Sequence, residues 1–210
     1  MRIDLHVHTL HSPCSSLSPG EVLRNARSRG LDGVCITDHD TMDIRRELQE
    51  GYQEGGLCVI FGMEYATSEG DFLLFGPFEG LSPGLPAGVL LERVDKEEGV
   101  AVAAHPFRSN RPLREDLIRQ GACCIVEGIN GRNSEPENLK VAEWRAGYAP
   151  IECGGSDAHT LEELGRVVTV FEENIRSRKD LIEALKGGRC KPQWNRAWSP
   201  MKDMPAPVFA

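Results

Sequence analysis

Aromatic side chains make up only 6% of the 210-residue sequence, so there is no obvious stacking platform for a long nucleic acid. Positive charge is not in excess either: 24 Lys and Arg against 32 Asp and Glu leave −8, which argues against a general electrostatic grip on a polyanion. A small phosphorylated substrate stays open, because bound divalent ions reverse the field locally. No apolar run approaches the roughly 18 to 20 residues of a membrane span. The opening Met1-Arg2-Ile3-Asp4-Leu5-His6 lacks the apolar core of a signal peptide, and none is expected. The seven cysteines are odd in number and include no CxxC pair, and Cys35, Cys58, Cys123, Cys124 and Cys153 lie in apolar stretches. They read as reduced, small buried hydrophobes, in keeping with a cytoplasmic location. Internal repeats and low-complexity linkers are also missing, and the length suits one core.

What recurs is a short β-rich apolar run followed by a helical pattern. Strands are expected at 3–7, 33–37, 57–61, 71–75, 100–104, 123–127, 150–153 and 167–171. Helices are expected at 18–29, 43–54, 89–98, 113–120, 137–146 and 179–186; the first opens on Ser18-Pro19-Gly20-Glu21, which reads as a capping box. Such alternation means a mainly parallel α/β fold, either a barrel or an open sheet. Residues 1–189 are expected to form the functional domain. The tail over 190–210, with four prolines and two tryptophans, is expected to pack on it as an extended segment.

Five of the six histidines fall at or just beyond the C-terminal end of an expected strand: His6, His8, His39, His105 and His159. Asp38, Asp40, Glu64, Glu127 and Asp157 accompany them. In parallel α/β folds that edge is where loops converge on one crevice, so the concentration points to a single site. His6 and His8, two apart on a strand, put both imidazoles on one face and can grip one ion. Imidazole and carboxylate together suit zinc, manganese or iron, and a carboxylate such as Glu64 can bridge two ions. Two ions roughly 3.5 to 4 Å apart activate water and stabilise attacking and leaving oxygens, the chemistry of phosphate-ester hydrolysis. Arg108 and Arg132 each follow a strand on the same edge and are candidates to bind phosphate. His11 reads as an exposed loop residue.

Asp4-Leu5-His6-Val7-His8-Thr9, Ile36-Thr37-Asp38-His39-Asp40, Gly62-Met63-Glu64, Ala104-His105-Pro106 and Gly155-Ser156-Asp157-Ala158-His159 together resemble the motifs of the PHP (polymerase and histidinol phosphatase) family, in order and across nearly the whole chain. The resemblance implies a distorted (β/α)7 barrel of seven strands, mainly parallel, holding two or three divalent ions. It implies one ion on His6, His8, Glu64 and Asp157, a second on Glu64 and His105, and a third on His39 and His159. Many members have a histidine where this chain reads Val126-Glu127-Gly128-Ile129-Asn130, so either Asn130 ligates through its carbonyl oxygen or water takes that place. In the loop after His8 some members carry a ligand where Ser12-Pro13-Cys14-Ser15 stands, and Cys14 is either a thiolate ligand or a bystander. The resemblance is to short, stand-alone members described as phosphoesterases.

The expected activity is hydrolysis of a small phosphomonoester (a nucleotide, nucleoside bisphosphate or sugar phosphate) by a metal-activated water. Arg108 or Arg132 would add charge, and Asp38 or His159 would orient the water or protonate the leaving group. Stable binding of nucleic acid or membrane is not expected. The rival readings are a nuclease or phosphodiesterase, amidohydrolase-like C–N hydrolysis, and a catalytically degenerate metal-binding docking module.

Overall fold

Alternating apolar residues in short runs fold as strands in the computed structural model, which describes residues 1–198. In chain order these are β1 (Arg2–Val7), β2 (Gly33–Ile36), β3 (Gly51–Tyr52), β4 (Cys58–Phe61), β5 (Met63–Thr67), β6 (Gly70–Phe75), β7 (Val100–Ala103), β8 (Ile125–Asn130), β9 (Ile151–Gly155), β10 (Val167–Phe171) and β11 (Cys190–Trp194). The α-helices are α1 (Pro19–Asn25), α2 (Ala87–Lys96), α3 (Asp116–Arg119), α4 (Glu135–Gly147) and α5 (Arg178–Lys186). Both α1 and α4 start with the reciprocal serine–glutamate cap, Ser18 with Glu21 and Ser134 with Glu137.

The strands make two mixed sheets, ordered β11-β10-β1-β2-β4-β3 and β5-β6-β7-β8-β9. Parallel pairing joins β1, β2 and β4 in one and β7, β8 and β9 in the other, while β5, β6, β10 and β11 pair antiparallel. The expected seven-stranded barrel is therefore not traced by a continuous ladder among the described residues. Only single bridges cross between the sheets, at Val7–Ala158 and His39–Glu64. The reason is local: β1 shifts register between Asp4 and Val7, and the chain breaks at Gly62 between β4 and β5.

Period-two alternation sorts the apolar side chains into two cores. Ile3, Leu5, Cys35, Ile60, Leu73, Phe75, Val102 and Ile125 pack together with Leu181, Ala184 and Leu185 of α5. Val34, Ile36, Val59, Phe61, Phe72 and Leu74 face the other way, toward Val22 of α1 and Leu90 and Val94 of α2. Each Val, Leu, Ile or Phe side chain among them, when fully buried, contributes about 1.5–3 kcal/mol. Gly155 lets β9 approach β1: a Cβ there would meet the backbone nitrogen of His6 at 2.7 Å as well as its Cβ.

Three expected elements come out differently. The helix over 43–54 is a 3-10 turn at Asp43–Arg46 followed by β3, because Gly51, Gly55 and Gly56 adopt positive φ and turn the chain back along β4. The helix over 113–120 shrinks to α3, since Leu113 and Arg114 donate their N–H groups outward to Pro106 and Glu69. The tail from Cys190 starts as an edge strand on β10, and its residues 199–210 lie outside the described part. No helix among the described residues is long and apolar enough to cross a membrane.

Candidate metal centre

The two bridges between the sheets coincide with the clustered histidines and carboxylates. Val7 stands between His6 and His8, Ala158 between Asp157 and His159, and the second bridge joins His39 to Glu64. Broken pairing at these seams frees the flanking residues to turn their side chains to a common point. Three of the five non-glycine residues with positive φ among the described residues lie here: Asp40 at 53°, His105 at 31° and Asp157 at 55°. Backbone held in that region is typical of a functional site.

His6 Nε2 lies 2.9 Å from His8 Nε2, 3.4 Å from Glu64 Oε2 and 3.5 Å from Asp157 Oδ1. His8 Nε2 lies 3.3 and 3.4 Å from the same two oxygens. Four donors at these spacings, set at the corners of a tetrahedron, would each stand about 2 Å from its centre, the length of a zinc–nitrogen or zinc–oxygen bond. Two further groups of donors lie within 4.8 Å of one another: His8, His39 and His159, and Glu64, Asp71 and His105. Glu64 serves two of these directions, with Oε2 3.0 Å from His39 Nδ1 and Oε1 2.7 Å from His105 Nε2. All of these side chains are buried except His39.

An outer layer aims the donors. Glu127 Oε1 meets His6 Nδ1 at 3.0 Å, while its Oε2 accepts from the backbone N–H of His105 at 2.8 Å. Ser12 Oγ lies 3.1 Å from His8 Nδ1 and donates to Asp38 Oδ1 at 2.6 Å. Thr9 gives Asp38 two more hydrogen bonds, from its N–H and its hydroxyl. Such partners fix the tautomer and tilt of a ligating imidazole.

The electrostatics point the same way. Burial opposes ionisation of Glu64 and Asp157, yet the adjacent His6 charge and hydrogen bonds from the surrounding imidazoles hold both well below the usual carboxylate range. Burial likewise opposes a charge on His6, but Asp157, Glu127 and Glu64 outweigh it and raise its pKa well above the ordinary value. The buried carboxylates thus call for a cation at their centre, which protons on the imidazoles supply when nothing else does. His159 is the exception: burial and the His8 charge lower its pKa to about 4, leaving a free lone pair at neutral pH. The donor set and spacing fit divalent ions.

The PHP domain model matches residues 4–145, two thirds of the chain, and the PHP-associated model matches residues 135–190. The chain belongs to the PHP family. A relative in Methanocaldococcus jannaschii, the uncharacterized protein MJ0417, is 30% identical over 192 residues, covering 86% of this chain and 75% of that protein. The fold is shared with a two-domain protein of Bacteroides vulgatus that contains a predicted PHP-like metal-dependent phosphoesterase (TM-score 0.66, 19% identity, 93% of this chain and 65% of that one). It is shared equally with the lesion-specific endonuclease EndoQ of Pyrococcus furiosus (TM-score 0.66, 19% identity, 91% of this chain and 57% of that one). Membership of the PHP family is thus shown, and the shared fold by itself singles out neither a reaction nor a substrate.

Of the residues read from the sequence, His6, His8, His39, Glu64, His105, Asp157 and His159 converge in this PHP site. Asn130 does not join the donor groups: its Oδ1 accepts from Arg108 at 3.0 Å and from the backbone N–H of Arg132 at 2.9 Å, and its amide donates to Glu127. Cys14 is exposed and lines the adjoining cavity, but belongs to none of the groups. Asp38 sits behind the donors, holding Ser12 and Thr9. Arg108 lines the cavity and bonds Asp157 Oδ2 at 2.6 Å and Asn133 at 3.1 Å; Arg132 lines it and pairs with Glu163 at 3.3 Å. His11 pairs with Glu47 at 3.1 Å, away from the cavity lining.

Asp71 and Arg111 were not foreseen, nor was the work of Ser12 and Glu127. Asp71 did leave a signal, since it keeps the strand parity of inward Leu73 and Phe75, where an unpaired carboxylate is out of place. Glu127 keeps parity with inward Ile125 in the same way. The cavity over the PHP centre has a volume of about 270 Å³. A larger one, about 530 Å³, lies at the opposite strand ends around Cys123 and Pro150 and has no histidine or carboxylate in its lining, so size does not locate the chemistry.

Proposed function

We propose that the chain is a phosphatase that removes the phosphoryl group of a small molecule: a nucleotide, a nucleoside bisphosphate or a sugar phosphate. The observation that supports this most is the cavity lining, which sets Arg108, Arg111 and Arg132 around the buried donors. Its volume of about 270 Å³ falls just below the range of drug-sized pockets, which suits a compact ester.

His6, His8, His39, Glu64, His105, Asp157 and His159 would hold divalent ions, whose chemistry there would be activation of water and polarisation of phosphoryl oxygens. The chain's own residues supply the rest. Guanidinium groups at the cavity wall neutralise the charge that builds on the non-bridging oxygens. Arg108 is pre-aimed by Asn130, Asn133 and Asp157, so little reorganisation is needed when the ester arrives. Burial lowers the pKa of His159, which leaves its ring a lone-pair donor at neutral pH and suits ligation better than proton transfer. Asp38, whose oxygens are taken by Thr9 and Ser12, is a positioning residue behind His8.

A second reading, phosphodiester cleavage, is favoured by the fold shared with EndoQ. The net charge of −8 and the small cavity weigh toward the smaller substrate. The test is phosphate release with added manganese from a panel of mononucleotides, nucleoside bisphosphates and sugar phosphates, beside cleavage of oligonucleotides. Turnover on the small esters that His8→Ala abolishes is the expected result. Cleavage confined to oligonucleotides would move the assignment to a nuclease, and a metal-loaded protein inert on every ester would leave a docking module.

A further inference from the structure

The donor group made by Glu64, Asp71 and His105 differs from the other two in what surrounds it. Asp71 is 5% exposed at the start of β6, on the face that carries Leu73 and Phe75 into the inner core. Its outer side is fastened by Arg111, which donates from Nε to Oδ2 at 2.7 Å and from Nη2 to Oδ1 at 2.6 Å. Its inner side is not fastened: Oδ2 lies 3.9 Å from His105 Nε2, beyond hydrogen-bond reach, although the donor atoms of all three residues lie within 4.8 Å of one another. Two carboxylates therefore share a buried space with a single arginine. His105 faces this space with Nε2, 2.7 Å from Glu64 Oε1, while its buried Nδ1, on the other side of the ring, has no hydrogen-bond partner. Without Asp71 this position would have only Glu64 and His105, because the Asn130 carbonyl is taken by Arg108 and by the Arg132 N–H. Two protein donors are fewer than the three that open catalytic ion sites commonly keep.

We propose that Asp71 is the third protein ligand of a metal position shared with Glu64 and His105, and that Arg111 is the positioning residue that holds its carboxylate toward that position. The bidentate clamp leaves Oδ2 on the side of His105, and a cation there resolves the repulsion between Glu64 and Asp71. The inference rests on the reading of the site as a metal centre, but not on any substrate.

The experiment is metal content per chain, by elemental analysis of the full-length protein loaded with manganese or zinc and desalted. It compares wild type with Asp71→Asn, Asp71→His, His105→Ala and Arg111→Gln, each also melted in chelator to register its metal-free stability. Asp71→Asn and His105→Ala should each lose the same single ion and keep the others, while Asp71→His, which restores a donor, should keep it. Arg111→Gln should weaken the most loosely held ion by about 10–100-fold. An unchanged ion count in Asp71→Asn overturns the assignment of Asp71 alone. Loss of every ion in both Asp71 variants, with a lowered melting point in chelator, assigns Asp71 a structural role and also overturns it. A wild-type chain that holds no ion overturns the centre itself.

Discussion

Replacing Glu127 by glutamine changes one buried atom and, by the hydrogen-bond inventory around it, displaces a proton 121 residues away in sequence. Oε2 of Glu127 accepts from His105 N and from Asn130 Nδ2, both at 2.8 Å, while Oε1 faces His6 Nδ1 at 3.0 Å. Asn130 cannot turn its amide to help, because its Oδ1 already accepts from Arg108 and Arg132. The two N–H donors therefore claim the carbonyl oxygen of the glutamine, and its NH2 group is left facing His6 Nδ1. That nitrogen must become an acceptor, which moves the imidazole proton to Nε2, the atom packed against His8, Glu64 and Asp157. A ligand held in the wrong tautomer should cost about 10–100-fold in metal affinity, or about 1.4–2.7 kcal/mol. Under saturating metal the same amount of stabilisation disappears, a fall of about 3–10 °C in melting temperature for a chain of this size. Competition with a metal-binding dye gives the affinity, and melts with and without metal give the linkage. An unchanged dissociation constant would refute the tautomer argument. So would an equal loss of melting temperature in chelator and in metal, because that outcome assigns Glu127 to the fold and not to the orientation of His6.

Gly155→Ala should cost both stability and metal affinity, since its Cβ would press on the backbone of His6; equal metal titrations of variant and wild type would contradict this. Arg108→Lys cannot serve Asn130, Asn133 and Asp157 at once, and kcat/KM on the best small ester should fall about 100-fold while metal content stays unchanged. Hydrogen bonds from the Ser109 and Ser134 N–H groups lower the pKa of Glu137 from 4.5 to about 2. A lowered carboxylate contributes stability above its unfolded value and loses it as pH falls through the folded one, so the contribution should fade between about pH 4.5 and 2 and be missing in Glu137→Gln. Denaturant midpoints of the two proteins that converge at acid pH and separate at neutral pH are the expected pattern.

Much of the site was legible because ligand chemistry writes itself into short motifs. His6 and His8 are two apart on one strand, so strand geometry alone places that pair, while Asp157 and His159 are marked by their position just past the end of another. The capping boxes at Ser18 and Ser134 show how local hydrogen bonding sets a helix start. Expectations went astray where an element depends on the strand it pairs with. The stretch 43–54 reads as helical until three positive-φ glycines turn it onto β4, and β11 exists only because β10 offers it an open edge.

From the sequence alone came the alternation of strands and helices, the edge on which the histidines gather and the kind of ion their side chains suit, since each follows from residue type and spacing within a few positions. The tertiary structure alone decided that the strands divide into two sheets joined by single bridges, that the Asn130 carbonyl is already spoken for, that Asp71 is clamped by Arg111 and that Glu127 meets His6. Those outcomes turn on which buried donor meets which acceptor across more than a hundred residues of chain in the case of Glu127 and His6, and no local pattern encodes such a pairing.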